Sequence, residues 1–248
     1  MQHYFYNQQL KMGQDFSLPD DVAYHFTHVL RNGVGDQLEV VDGSETLFIA
    51  EISEINGKRV QAKIIRQLEK NVELPVKTAI VSGLAKKNKP KLIVQKATEL
   101  GVNEVFFVPM ERSIVNWTGK SEKKLIRLNE VAKSAAEQSH RNHVPVVKYA
   151  NSLTDIPFDD YSAGVIAYEE SAKQGEESNL VQLYSHLADG DSVIAVFGPE
   201  GGISEQEVSV LSDEGLIKAG LGPRIMRTET APLYFLAATS MYFELGSK

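Results

Sequence analysis

The chain contains no cysteine among its 248 residues, which excludes disulfides and thiolate metal sites as sources of stability or chemistry. No apolar run approaches the roughly 20 residues that a membrane-spanning helix requires. The opening residues, MQHYFYNQQ, lack both the basic and the apolar stretch of a secretory leader. A cytosolic protein with no membrane partner is therefore expected. Neither Gly-x-Gly-x-x-Gly nor Gly-x-x-x-x-Gly-Lys follows a strand-like run, so the two common phosphate-binding fingerprints are missing. An excess of positive charge is missing too. The 26 Lys and Arg face 33 Asp and Glu, a formal net charge of −7.

That balance changes when it is divided along the chain. Residues 1–70 carry 7 basic and 10 acidic side chains, and 71–76 add only Glu73. Residues 77–148 carry 14 basic and 6 acidic, a block of +8, whereas 149–248 carry 5 and 16. Binding to a polyanion depends on a local basic face and not on the total. The middle block, with Lys86, Lys87 and Lys89 at its start, supplies such a face.

Two regions differ in pattern. Residues 1–70 read as a small β-rich domain: strand-like runs at 3–6, 37–41, 46–53 and 59–65 are separated by Asp42-Gly43 and Asn56-Gly57, both hairpin signals. Between the first two runs, Asp20 or Asp21 is placed to cap a short helix carrying Val22, Phe26, Val29 and Leu30 on one face. Residues 68–76, with Pro75, read as a linker. From 76 to 248 short apolar runs alternate with helical periods, which is the mark of an α/β fold. Strands are expected at 76–82, 104–108, 164–168, 192–197 and 216–219. Helices are expected after Pro90, after Ser121, over 179–187 and after Ser204, the last with Glu207 completing a capping box. The final helix, from Ala231, is apolar nearly all round, so it must be buried on several sides. Thr230 is its expected cap.

Two consecutive strand-to-helix turns carry glycines: GPEGG at 198–202 and GLGPRIMRTET at 220–230. Glycine at such turns allows backbone to approach a ligand closely. Glu200, Glu205 and Glu207 flank the first helix start, and their charge disfavours a phosphate there. A neutral or cationic ligand suits the loops better, and S-adenosylmethionine has that character.

GPEGG at 198–202 followed by LGPRIMRTETA at 221–231 resembles the paired signature of the SPOUT methyltransferases, in particular the RsmE family of ribosomal RNA small-subunit methyltransferases. The likeness extends to VQKATELGV at 94–102, ERS at 111–113 and AAEQSHR at 135–141. It implies a SPOUT-type parallel sheet with a C-terminal trefoil knot, an N-terminal PUA-like RNA-binding β-barrel, and a homodimer. It also implies methyl transfer from S-adenosylmethionine to N3 of one uridine in 16S ribosomal RNA, within the small ribosomal subunit. On this resemblance the donor lies among Tyr168, Gly198, Glu200, Gly201, Gly202, Leu221, Gly222, Ile225, Arg227 and Thr230. RNA contacts fall to His25, His28, Arg31, Lys86, Lys87, Lys89 and Arg141, and no metal is expected.

The uracil N3–H is a weak acid, so the reaction needs either a proton acceptor or a cation that stabilises the developing imidate. Arg112 and Arg141 are candidates for the cation. Glu229 and Glu137 are candidates for the acceptor. Two positions depart from the family pattern: His3 stands where relatives place Arg, and His140 where they place Gly. A non-catalytic RNA-binding assembly factor on the same fold is the alternative, and an unrelated nucleotide-binding enzyme is a third reading. Binding of the methyl donor separates them.

Overall fold

A computed structural model describes residues 1–168 and 179–246. The chain divides into two compact units, Met1–Val72 with Glu137–His143, and Glu73–Ala136 with Val144–Lys248.

The first unit is a five-stranded sheet in the order β1-β3-β4-β5-β2. β1 (Gln2–Phe5) runs parallel to β3 (Gln37–Val41). β3–β4 and β4–β5 are antiparallel, as is the pairing of β5 with the short β2 (Asp15–Ser17). Both hairpin signals mark real turns. Asn56 ends β4 (Leu47–Asn56), Gly57 takes φ 60°, and β5 (Arg59–Leu68) begins two residues later. At the other turn, the Asp42 carboxylate accepts hydrogen bonds from the Leu10, Ser44 and Thr46 amides and the Ser44 hydroxyl. Burial raises the proton affinity of Asp42, but these bonds outweigh it and hold the carboxyl below its ordinary value.

The cap expected at Asp20 or Asp21 is not there. Pro19 occupies the cap position of α1 (Asp20–Tyr24), and both aspartates lie in the first turn, where their charge complements the helix dipole. The helix continues as a wider π turn (His25–Val29) that drives Phe26 into the core beside Leu38, Ile52 and Ile64. Residues 137–143, which the sequence pattern assigned to the second domain, cluster with the first unit. The cause is visible at Asn142: its side chain donates to the carbonyls of Lys70 and Glu45, and accepts from the Val72 amide.

The second unit holds a six-stranded sheet in the order β11-β9-β10-β6-β7-β8, with every pairing parallel. The strands are β6 (Lys77–Gly83), β7 (Glu104–Val108), β8 (Val146–Tyr149), β9 (Ala163–Ala167), β10 (Ser192–Phe197) and β11 (Ile217–Ala219). Parallel strands are covered on both faces, and the central pair β6 and β10 is accordingly apolar and buried almost throughout. Five of the six were legible as apolar runs. β8 was not, because VVKY is too short and too polar to announce itself. It pairs with β7, and Asn129 braces it: the amide side chain donates to the Val147 carbonyl and accepts from the Val147 amide.

Helices α2 (Lys89–Glu99), α3 (Ser121–Gln138), α4 (Asn179–Ser185), α5 (Glu205–Asp213) and α6 (Ala231–Ser240) connect or follow these strands. In α3, Leu128, Ala132 and Ala135 face inward as their spacing requires. α6 packs against α2, β6 and β10, with Phe235 and Leu236 fully buried. Inside, the Thr239 hydroxyl donates to the Phe235 carbonyl, leaving its oxygen to accept from the Tyr184 hydroxyl at 2.8 Å. Tyr234 in α6, and Met241 in the π turn that follows it (Met241–Leu245), are exposed.

Candidate active site

The two glycine turns leave strands β10 and β11, which flank β9, at the carboxyl edge of the sheet, where open α/β sheets place ligands. They enclose a pocket of about 740 Å³. Its walls are residues 197–203 from the first turn and 221–228 from the second, with Ala167, Tyr168, Arg112, Glu205 and Ala231 completing them.

The first turn is dense. A Cβ on Gly198 would lie 2.7 Å from the Gly202 carbonyl carbon and 2.8 Å from the Ile203 nitrogen. A Cβ on Gly201 would lie 2.8 Å from the Cβ of Arg112, and Gly202 takes φ 77°. All three positions therefore require glycine, for space or for backbone conformation. The turn ends in the expected capping box: Ser204 Oγ accepts from the Glu207 amide and Glu207 accepts from the Ser204 amide.

The second turn is looser. Gly222 takes φ 88° with little around it, and Ile225 is 73% exposed. Thr230, the expected cap of α6, already has helical φ −90° and ψ −38° and makes no capping bond with its side chain. The chain enters α6 through the Arg227 carbonyl, which accepts from the amides of both Thr230 and Ala231. Two bonds pin this turn to other elements. The Thr228 hydroxyl donates to the Gly198 carbonyl at 2.7 Å, and Lys89 reaches both turns, with its ammonium 3.0 Å from Glu200 and 3.1 Å from Glu229.

The acidic flank anticipated from the sequence is largely neutralised. Glu207 is committed to the cap and to the Glu111 amide. Glu200 accepts from the Lys86 amide as well as meeting Lys89. Burial works to raise the proton affinity of Glu200 and Glu229, but backbone bonds and Lys89 lower it on balance. What faces the pocket is mixed in sign: Glu200 and Glu205 with Arg112, Arg224 and Arg227. Arg112 is positioned by donating from Nη1 to the carbonyls of Gly201 and Ile203.

Of the residues expected at the donor site, Tyr168, Gly198, Glu200, Gly201, Gly202, Leu221, Gly222, Ile225 and Arg227 line this pocket together. Thr230 does not, and neither does Glu229, which turns toward Lys89. Arg112 joins them from the catalytic candidates. Arg141 belongs to the first unit and is only 3% exposed. Thr228 was missed, although it stands in the same quoted motif. The signal was a hydroxyl flanked by Arg227 and Glu229, which says nothing of its partner Gly198 30 residues away.

The expected RNA-facing side chains differ among themselves. His28 is exposed and stacks on exposed Tyr24 with ring centroids 4.7 Å apart. His25 is turned inward to the Tyr4 hydroxyl at 2.9 Å, and Arg31 is exposed at φ 59°. Lys86 and Lys87 are exposed, whereas Lys89 is held by its two carboxylates.

Comparisons with known proteins agree on what these features belong to. Residues 72–240 match the RNA methyltransferase domain family, and residues 18–65 match the RNA methyltransferase PUA domain family. The chain is 42% identical to Ribosomal RNA small subunit methyltransferase E of Bacillus subtilis, over 99% of this chain and 98% of that one. The crystal structure of Ribosomal RNA small subunit methyltransferase E from Neisseria gonorrhoeae, bound to S-adenosyl methionine, superposes with a TM-score of 0.83 at 28% identity, covering 98% of each chain. A Legionella pneumophila structure in complex with the same cofactor gives 0.80 at 26% identity, covering 96% of each. This chain belongs to the ribosomal RNA small subunit methyltransferase E family.

Proposed function

We propose that the protein transfers a methyl group from S-adenosylmethionine to N3 of one uridine in 16S ribosomal RNA, acting in the cytoplasm on the small subunit or its precursors. The observation that carries this is the pocket between the two glycine turns. Its lining combines glycine-rich main chain with apolar side chains such as Phe197, Ile203 and Leu221, and with arginines and glutamates. That set fits a ligand with an uncharged purine, a carboxylate and two positive centres. The main chain of Leu221, Gly222 and Ile225 reads the adenine, Arg224 or Arg227 takes the carboxylate, and Glu200 and Glu205 face the cationic end. When bound, the donor supplies a methyl group already activated by a sulfonium, so the chain's task is alignment and charge stabilisation.

Arg112 is the group we assign to the developing imidate. It is exposed, lines the pocket, and has its guanidinium fixed by two carbonyls, so little reorganisation is needed as charge appears. Glu229 is a poor proton acceptor here, because Lys89 and the backbone lower its proton affinity. Arg141, buried in the first unit, acts by shaping segment 137–143. The first unit, closed as a PUA-like barrel, supplies RNA contacts through exposed His28 and Arg31 and the stacked Tyr24. Lys86 and Lys87 meet phosphates. We further propose that α6 threads the preceding loop as a trefoil knot and forms a homodimer through exposed Tyr234 and the Met241 that follows the helix.

Small subunits from cells lacking the gene, incubated with purified protein and labelled donor, test this reading. The expected result is one methyl group on a single 16S uridine, located by mass mapping, and loss of at least ~100-fold in rate for Arg112→Ala with donor affinity retained. Donor binding without transfer would instead favour an RNA-binding assembly factor. Absence of donor binding would overturn the assignment of the pocket.

A further inference from the structure

Among the described residues, one cluster gathers metal-ligating atoms: His3, Glu39 and His140, all in the first unit and within 4.8 Å of one another. His3 Nε2 is 2.8 Å from the Arg141 carbonyl. A carbonyl carries no proton, so this ring nitrogen must donate. In a neutral imidazole the other nitrogen, Nδ1, then holds a lone pair. That lone pair faces Glu39 Oε2 at 3.0 Å, and the Nδ1 of His140 meets the same oxygen at 2.6 Å. Two imidazole nitrogens and a carboxylate oxygen thus converge on one small region, which needs positive charge at its centre.

We propose that His3, Glu39 and His140 bind one divalent transition-metal ion, zinc by the chemistry of the donors. Two imidazoles and a carboxylate form a known three-ligand zinc set, and a ligating histidine usually donates its second ring N–H to a carbonyl, as His3 does to Arg141. The side chain of His3 is 1% exposed and that of Glu39 15%, while His140 is 41% exposed. The site is therefore walled on two sides and open to solvent on the third, which gives an ion access and leaves its fourth position to water. Bonds of about 2.0–2.1 Å at tetrahedral angles space ligand atoms about 3.3 Å apart. The contact to His3 must open by about 0.3 Å and that to His140 by about 0.7 Å, and the exposed His140 side chain has room to move.

The backbone fits the same role. His140 takes φ 56°, a left-handed conformation that a non-glycine residue holds only when its surroundings require it. Ligation would fasten segment 137–143, and with it the Arg141 backbone, to the sheet that carries His3 and Glu39. This inference does not depend on methyl transfer, and metal binding reads it directly.

The test uses full-length protein with no affinity tag, stripped by a chelator. Titration with zinc chloride by calorimetry is expected to give one ion per chain with micromolar or tighter affinity, and an unfolding midpoint raised by roughly 5 °C. Cobalt(II) is expected to develop the visible absorption of a four-coordinate site. His140→Gly suits the left-handed backbone and should fold, yet it removes one ligand and should weaken zinc binding at least ~10-fold. No binding at one equivalent, or binding unchanged in His140→Gly, overturns the proposal. In that event the cluster is only a hydrogen-bonded network around Glu39, or other histidines of the chain hold the ion.

Discussion

The two glycine turns solve the same problem, a tight exit from a parallel strand into a helix, by opposite means. The turn at 198–204 is ordered mostly from within. Gly198 is dictated by Gly202 and Ile203 and Gly202 by its own φ, with only Gly201 set by the distant Arg112, and the helix is capped by its own Ser204 and Glu207. The turn at 220–230 borrows its order: it has no side-chain cap at Thr230 and is held by Thr228 on Gly198 and by Lys89 between Glu200 and Glu229. A pocket wall made of one rigid and one tethered turn can admit a ligand through the tethered side. It also makes the second turn sensitive to residues outside its own sequence.

The sharpest break in that contrast is Gly198→Ala. The added methyl meets backbone at 2.7 Å, so the rigid turn must move, at a cost of about 3 kcal/mol in unfolding free energy and with donor binding lost. Chemical denaturation with calorimetric titration measures both. Gly222→Ala meets no backbone, but forces φ 88° on an alanine. A loss of about 1–2 kcal/mol is expected, with weakened but measurable donor binding. Ser204→Ala removes a cap and should cost about 1 kcal/mol by thermal unfolding, leaving donor affinity within a few-fold because the second turn is not held through it.

Lys89→Met sharpens the comparison through pH. Glu200 and Glu229 have proton affinities lowered by folding, so their stabilising contribution is complete above the ordinary carboxylate value of 4.5 and is lost as pH falls through the lower folded values. Removing the ammonium should flatten the acid limb of the stability profile. It should also loosen donor binding several-fold near neutral pH, without altering the capping box. An acid limb identical to that of the parent protein would mean that backbone bonds alone set both carboxylates.

Much of the second unit was readable because its signals are local. An apolar run such as 192–197, a serine three residues before a glutamate, and a proline at the start of α2 act over a handful of positions. What escaped was non-local. The strand at Val146–Tyr149 is braced by Asn129, and segment 137–143 joins the first unit through Asn142. Glu200 and Glu207 looked like a repulsive acidic flank, yet both are consumed by partners whose positions no spacing rule predicts. Glu229 shows the same limit. Adjacent to α6, it reads as a free carboxylate until Lys89 appears beside it.

By itself the sequence determined the alternation of strand and helix, the glycines at both turns and the cap at Ser204, because steric and hydrogen-bonding rules over a few residues decide these. Only the tertiary structure decided which charges remain available in the pocket, where Arg141 lies, and that His3, Glu39 and His140 meet. Those outcomes depend on side chains brought within about 3 Å from positions 36 to 140 residues apart, and Coulomb and hydrogen-bond energies fall away too steeply with distance for chain order to foretell them.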